Sequence, residues 1–161
     1  TRTRSATAIR AMYDLPHTPA LKPEGRYYSD SWGINAYNAE LAYTHPLEEG
    51  VTLDLRYRYY NQTAADFYSD LYDRSNQQNF LARDKEMSSF NTHTVGVGVS
   101  YEFETPWLPF IDKGQTSLFF DYIRFQYDDF RDITIEDTTV GEEPFFAFNA
   151  TVIRAFVSFW F

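Results

Sequence analysis

Strict alternation of apolar with small or polar residues is the feature that most constrains what this chain can fold into. The stretch "THTVGVGVSYEF" sets Val95, Val97 and Val99 against Thr94 and Gly96. The last stretch, "AFVSFWF", alternates in the same way and ends on an aromatic residue. A period of two places successive side chains on opposite faces of a strand, whereas a helix needs a period of three to four. The sequence therefore predicts amphipathic β-strands.

The composition disfavours several classes of protein. Aromatic residues make up 19% of the 161 residues, yet the mean hydropathy is −0.48, because apolar side chains alternate with polar ones. No run approaches the roughly 18 consecutive apolar residues of a membrane-spanning helix. The absence of Cys excludes disulfides and thiolate metal sites, and the net charge of −9 argues against nucleic acid as a partner.

Alternating segments predict about six strands. These segments cover residues 2–13, 26–45, 51–61, 91–103, 116–127 and the last stretch, 153–161. The apolar residues of the fifth segment change phase, which predicts a β-bulge near Tyr122 and Ile123. Most segments are longer than the average globular strand and reach the length of about 9–11 residues that spans a bilayer.

The two faces of the predicted strands differ in chemistry. Aromatic residues lie near the strand ends of the apolar face, as in the girdles of outer-membrane barrels. The residues expected to face lipid include Leu53, Leu55, Val95, Val97, Val99, Ile153 and Val157. The residues expected to line the lumen are Arg4, Arg10, Glu40, Asp54, Arg56, Arg58, Glu102, Asp121, Arg124 and Arg154. The sequence thus predicts an all-β fold, an antiparallel transmembrane β-barrel of the outer-membrane type.

Connection lengths agree with that prediction. If the last strand ends on the periplasmic side, the connections 46–50 and 104–115 are periplasmic, and 14–25, 62–90 and 128–146 are extracellular. Outer-membrane barrels have short periplasmic turns and longer extracellular loops. Six strands are fewer than the eight of the smallest barrels, so residues 1–161 are expected to be the C-terminal portion of one barrel domain whose N-terminal strands are missing. The expected location is the bacterial outer membrane, with its lipid and lipopolysaccharide as partners.

The end of the chain resembles the C-terminal signal of bacterial outer-membrane proteins, which ends on an aromatic residue after apolar residues at every second position. Phe161, Phe159 and Val157 carry the pattern, and the resemblance implies recognition by the barrel-assembly machinery. The stretches "YRYYNQTAADFYSDL" and "NFLARDKEMSSFNTHTVGVGVSYEF" are similar to an uncharacterised, domain-of-unknown-function family of Gram-negative outer-membrane proteins. This second resemblance covers most of the chain and implies the C-terminal part of a longer barrel. It also implies an envelope redox context, because the family's genes often lie near those of thioredoxin-like proteins and a flavin-transferase.

Three functions remain open. The arginines of the predicted lumen indicate a porin-like pore that attracts anions. The same arginines could instead pair with the lumenal carboxylates and fill a plugged barrel that anchors envelope proteins, redox proteins among them. A soluble β-sandwich that binds a ligand through its aromatic face is the third hypothesis. No nucleophile motif accompanies His17, His45 or His93, so neither an enzyme nor a cofactor is predicted.

Three local features have both a functional and a structural interpretation. The acidic stretch 128–143 could gather a divalent cation, but it matches no calcium loop, and a solvated loop is the simpler interpretation. Phe67 and Leu71 recur at helical spacing, which predicts a short helix within 64–72 that plugs or caps the barrel or packs on neighbouring loops. Gly96 and Gly98 are expected to leave room for bulky neighbours or to relieve curvature.

Overall fold

A computed structural model describes residues 1–16, 18–72, 80–104, 112–136 and 138–161. Helical structure in these residues is confined to two 3-10 turns, Glu48–Gly50 and Lys85–Met87. None of the described helices is long and apolar enough to cross a membrane. The strands are β1 (Arg4–Arg10), β2 (Tyr13–Asp14), β3 (Ala20–Asp30), β4 (Asn35–Pro46), β5 (Val51–Gln62), β6 (Phe90–Glu104), β7 (Lys113–Arg131) and β8 (Phe145–Trp160).

All eight strands form one antiparallel sheet, which confirms the all-β antiparallel prediction. The order is β1-β3-β4-β5-β6-β7-β8, and β2 pairs with β3 beside β1. The gap between β1 and β2 lies opposite Pro23, which has no backbone N–H to donate to the ladder. In the part of the chain that the structure describes, the edges β1 and β8 do not pair with each other, so the sheet is open. Closure into a barrel therefore stays a prediction.

A hairpin divides the segment that was expected to form the second strand. Residues 26–45 belong to two strands, β3 and β4, joined by a turn at 31–34, so the prediction of one strand is wrong. Tyr27 and Tyr37 pair across this hairpin and share a face, so the alternation passes through the turn without changing phase. The period of the sequence does not reveal where the chain reverses. The described residues form eight strands rather than six, because this hairpin and the break between β1 and β2 each add one.

The additional reversal changes the pattern of connections. By the order and direction of the strands, the connections 15–19, 47–50 and 105–112 join strands at one end of the sheet, and 31–34, 63–89 and 132–144 join strands at the other end. We call these the short-connection end and the long-connection end. The interval 14–25, expected to lie with the long loops, is at the short-connection end, and its second half belongs to β3. The two longest connections, 63–89 and 132–144, still lie at the same end of the sheet.

The bulge predicted near Tyr122 and Ile123 is wrong. β6 and β7 pair without interruption from Phe90 opposite Tyr127 to Glu104 opposite Lys113. The register shift of β7 lies instead against β8, between Gln126 and Arg131.

The uninterrupted register also corrects the face of Arg124. Its side chain shares a face with Tyr122 and not with Asp121, so Arg124 does not belong with the other residues expected to line the lumen. Beyond Tyr122 the two faces exchange chemistry: Phe125 and Tyr127 lie on the face of Asp121, among other aromatic rings. The phase change in the sequence therefore does not come from an extra residue in the strand. It marks the point at which the polar face of β7 is covered by aromatic rings.

Little of the apolar surface is buried. The buried hydrophobic residues among those described are Ile34, Ala36, Ala65 and Tyr127. Val97, Val157 and Ile153 remain 41%, 60% and 68% exposed. Domains in water normally cover the apolar face of a sheet with a second layer. The described residues form a single sheet, and no second sheet covers this face.

Candidate functional site: the polar face of the sheet

The register defines two faces of the sheet. The row Ala42–Arg56–Gly96–Asp121–Val152 lies on the face that we call the polar face, and the row Tyr43–Leu55–Val97–Phe120–Ile153 lies on the apolar face. Nine of the ten residues expected to line the lumen share the polar face, Arg124 being the exception. The seven residues expected to face lipid all share the apolar face.

Asp121 lies at the centre of the polar face and binds two arginines from strands on either side. Arg56 Nη2 donates to Oδ1 at 2.7 Å, and Arg154 Nη2 donates to Oδ2 at 2.7 Å. The Asp121 side chain is only 7% exposed, so these ion pairs are less screened than surface pairs. One carboxylate shared by two guanidinium groups leaves this network with a net positive charge. The Nε of Arg154 is buried and has no hydrogen-bond partner among the described residues.

Two glycines of β6 make room for this arrangement. A Cβ at Gly96 would lie 2.3 Å from Asp121 Oδ1 and 3.4 Å from Arg56 Nε. A Cβ at Gly98 would lie 2.3 Å from Cδ1 of Phe119. The expectation that these glycines leave space for bulky neighbours is confirmed.

A pocket of about 300 Å³ adjoins the network and carries an excess of positive charge. Its further lining includes Lys22, Thr44, Asp54 and Phe119. Thr44 Oγ1 donates to Asp54 Oδ1 at 2.7 Å, and Lys22 Nζ donates to Thr44 Oγ1 at 3.4 Å. Together with the network, this lining has three cations and two carboxylates. The excess positive charge of this lining can attract a small anion.

The other charged residues of the polar face do not form a saturated lattice. Arg10 pairs with Glu24 at 2.5 Å, and Glu102 pairs with Lys113, not with an arginine, at 2.9 Å. Three arginines of this face make no ion pair with any described residue: Arg4, Arg26 and Arg58. Glu40 lies opposite Arg58 in the ladder, but no ion pair joins them. Among the residues that the structure describes, the predicted lattice of arginines and lumenal carboxylates is therefore limited to the surroundings of Asp121.

The connection 63–89, described over 63–72 and 80–89, is attached to the long-connection end of the sheet. Asp70, with its side chain 6% exposed, lies 3.1 Å from Arg83 within the connection and 2.9 Å from Arg131 on β7. Tyr68 Oη donates to the Asp129 carbonyl at 3.1 Å, and burial is the main cause that raises the pKa of Tyr68. These contacts tie the connection to β7, two strands away from β5.

The helix predicted within 64–72 is wrong. Tyr68 forms a parallel bridge with Ala82, and Tyr72 Oη donates to the Ala82 carbonyl at 3.0 Å. The apolar spacing reflects packing of separate turns instead: the ring of Phe67 meets that of Trp32 edge to face at 5.3 Å. Of the two interpretations, packing against neighbouring loops is the one confirmed.

An aromatic cluster on the polar face was not anticipated from the sequence. Phe125 and Phe148 stack at 4.4 Å, and Phe90 lies 5.2 Å from Tyr127. Lys85 Nζ from the connection lies 5.7 Å from the Phe148 ring. The phase change of β7 was the available signal, because it marks where apolar side chains turn toward the polar face.

Comparison with known proteins places the chain in a family. The model of the family described as protein of unknown function (DUF3570) matches residues 1–129. The chain belongs to this family. The resemblance to an uncharacterised domain-of-unknown-function family is thereby confirmed. No curated protein and no solved structure matches the DUF3570 chain.

The β3–β4 hairpin of this DUF3570 chain is organised by Asp30. Its carboxylate accepts hydrogen bonds from Arg2 and Tyr28, and from the backbone N–H groups of Trp32 at 2.9 Å and Ile34 at 3.2 Å. Burial alone would raise the pKa of Asp30, but the hydrogen bonds from Tyr28, Arg2 and the backbone outweigh it and lower the pKa below its ordinary value. The ionised carboxylate therefore stabilises the hairpin.

The histidines and acidic residues of the DUF3570 chain do not assemble into a metal site in the described ranges. His45 and His93 are each hydrogen-bonded to a tyrosine, Tyr43 at 2.7 Å and Tyr57 at 2.8 Å. Across the described residues, no three His, Asp or Glu side chains are placed to hold an ion. His17, and Asp137 of the acidic stretch, lie outside the described residues.

The residues of the expected assembly signal lie in the edge strand β8 or directly after it. Val157 and Phe159 lie on the apolar face of β8, and Phe161 follows the end of the strand with 95% of its surface exposed. Recognition by the assembly machinery stays a prediction.

Proposed function

We propose that this DUF3570 protein is an outer-membrane β-barrel protein whose polar face lines a pore that attracts anions. The observation that carries the proposal is the shape of the exposed apolar surface. On β4, β5, β6, β7 and β8 the uninterrupted apolar runs of this face end, toward the long-connection end, at Tyr37, Tyr59, Val95, Tyr122 and Ile153. The next residues on the same face are Asn35, Asn61, His93, Arg124 and Thr151. We call this boundary the aromatic rim, because three of its five residues are tyrosines. On β8, Phe145 is separated from the run that ends at Ile153 by Thr151, Asn149 and Ala147.

The aromatic rim runs obliquely across the sheet. Tyr37 on β4 lies in the row of Asn61, whereas Ile153 on β8 lies in the row of Leu55. Leu55 is six residues from Asn61 along β5, toward the short-connection end. At about 3.3 Å per residue and about 4.8 Å per strand, six residues over four strand steps correspond to an inclination of about 45°. Strands of outer-membrane barrels tilt by about 35–45°. A planar bilayer edge would cut such tilted strands along this line.

The open edges of the sheet must be paired if the protein is to lie in a membrane. Unpaired backbone groups of β1 and β8 would cost several kcal/mol each in lipid. The proposed barrel therefore closes through additional strands of the same protein that pair with β1 and β8, and the barrel-assembly machinery inserts it into a membrane that contains lipopolysaccharide. The long-connection end is proposed to face outward.

The charges of the polar face support the pore. Arg26 and Arg58 line one depression of about 380 Å³ without an ion pair, and the Asp121 network keeps an excess positive charge. Arginine side chains lining a water-filled passage favour anions. Because Arg58 is exposed and has no ion pair among the described residues, it contributes more to selectivity than Arg56, whose charge is shared with Asp121.

A plugged barrel is the second candidate, and the connection 63–89 favours it. The Asp70 ion pairs and the aromatic cluster hold this connection at the long-connection end, where it would narrow or close the mouth of the barrel. A barrel closed in this way would anchor envelope proteins, redox proteins among them. A soluble sandwich is not favoured, because the described strands form one sheet and no second sheet among them covers the apolar face.

Conductance of the full-length protein in a planar bilayer separates the candidates. The pore predicts stable current steps with anion selectivity, and Arg58→Gln should lower the selectivity more than Arg56→Gln. An inserted but electrically silent protein would favour the plugged barrel. A protein that does not float with lipid vesicles would contradict both.

A further inference from the structure

Arg124 is the one charged side chain of the apolar face in the part of the sheet that precedes the register shift of β7. Among the apolar-face positions that are paired between described strands before the register shift of β7, no other Lys, Arg, Asp or Glu occurs. Beyond the shift, Arg131 pairs with Phe145 and forms an ion pair with Asp70. The side chain is exposed and makes no ion pair with the described residues. Asp128, four residues further along β7, is about 13 Å away at the backbone. Arg124 therefore has no carboxylate partner in direct contact among the described residues.

The position of Arg124 is as specific as its charge. It is the first residue beyond the aromatic rim on β7, two residues after Tyr122. Its cross-strand neighbours are His93 on β6 and Asn149 on β8, and both can donate hydrogen bonds. The next position on the same face of β7 is Gln126. A cation thus lies among polar side chains, directly beyond the apolar band on the side of the long-connection end.

If the apolar band spans the hydrocarbon layer, as proposed, the lipid beside Arg124 is at the headgroup level, where it carries phosphate. A guanidinium in the hydrocarbon layer would be costly, whereas at the headgroup level it can form charge-assisted, bidentate hydrogen bonds with a phosphate. We propose that Arg124, assisted by His93 and Asn149, binds the phosphate of an anionic lipid headgroup at the aromatic rim. This inference rests on the proposed membrane location of the protein, but not on whether the barrel conducts.

Lipid retention by the full-length protein tests the site. The protein is reconstituted in phosphatidylcholine vesicles that contain a minority of diphosphoryl lipid A, extracted gently, and examined by native mass spectrometry for bound lipid A. A cation near an anionic membrane surface contributes about 1 kcal/mol, so Arg124→Gln is expected to weaken lipid A binding about fivefold. Arg124→Lys should retain most of the binding. The matched control is Arg58→Gln, which removes the same charge from the polar face and should leave lipid binding unchanged.

The outcomes are separable. Equal lipid A binding by wild type and Arg124→Gln would overturn the site, and so would a loss of binding in Arg58→Gln of the same size. Displacement of the lipid by equimolar inorganic phosphate would show that free phosphate, and not the lipid, is the ligand, and would also overturn it. Vesicle flotation of the same samples reports on the proposed function independently: a protein that floats but binds no lipid A contradicts only the site, and one that does not float contradicts both.

Discussion

Arg56 and Asp121 bind each other at 2.7 Å although their strands, β5 and β7, are not neighbours in the sheet. Two strand steps separate their backbones by about 10 Å, a distance that only a long side chain can cross. The strand between them contributes Gly96 at the same level, so the guanidinium passes over backbone alone. The ion pair and the glycine are therefore parts of one feature.

Gly96→Ala should break this feature. The new Cβ would lie 2.3 Å from Asp121 Oδ1, so the carboxylate must move away from Arg56. We expect a loss of about 1–3 kcal/mol in the free energy of unfolding, measured by urea unfolding in vesicles. Gly25→Ala is the control, because a Cβ there meets nothing within 4 Å, and it should change stability by less than about 0.5 kcal/mol. Equal effects would contradict the assigned contact.

Valine-to-arginine substitutions on the two faces should differ in cost. Val97 and Val152 are similarly exposed, at 41% and 38%, but Val97 is on the apolar face and Val152 lies beside Asp121 on the polar face. Val97→Arg should cost about 2–4 kcal/mol in a bilayer. Val152→Arg should be tolerated better, because its side chain projects from the polar face and not toward lipid. Urea unfolding of both variants in vesicles measures the difference, and similar costs would mean that the faces are assigned wrongly.

Asp30 should make the hairpin sensitive to acid. Its pKa is lowered in the folded protein, so its stabilising effect is complete above the ordinary pKa of about 4 and is lost as the pH falls through the lowered value. Asp30→Asn should remove about 1–3 kcal/mol at neutral pH and lose less stability than wild type below pH of about 4. Thermal unfolding against pH is the measurement. Asp112 is exposed, so Asp112→Asn should follow the wild-type curve. A curve for Asp30→Asn that runs parallel to that of wild type would contradict the stabilising role of the Asp30 carboxylate.

Asp70 should control the order of the connection 63–89. Replacing its carboxylate by an amide removes the ion pairs with Arg83 and Arg131, while the sheet keeps its ladders. In Asp70→Asn we expect faster hydrogen exchange at the amides of Ala65 and Ser69, which bond within the connection, and unchanged exchange in β6. The exposed Glu142→Gln serves as the control. Unchanged exchange in Asp70→Asn would show that other contacts hold the connection.

The sequence predicted the strands well wherever alternation was local. β5 and β6 lie within a few residues of their predicted bounds, and the two faces of both are as expected. It failed at the β3–β4 hairpin, because Tyr27 and Tyr37 keep the same phase on both sides of the turn. It also failed at Arg124, because the phase change of β7 was interpreted as a bulge, whereas the surface covering the strand changes there.

Alternation by itself determined that this chain forms amphipathic strands with one apolar and one polar face, because side-chain direction along a strand is a local property of the backbone. The family resemblance was also within reach of the sequence. Only the tertiary structure decided which polar residues meet. Whether Asp121 binds two arginines, whether Arg58 has an ion pair, and on which face Arg124 lies depend on register. Register arises from hydrogen bonds between segments far apart in sequence, and a shift of one residue would move every side chain to the other face.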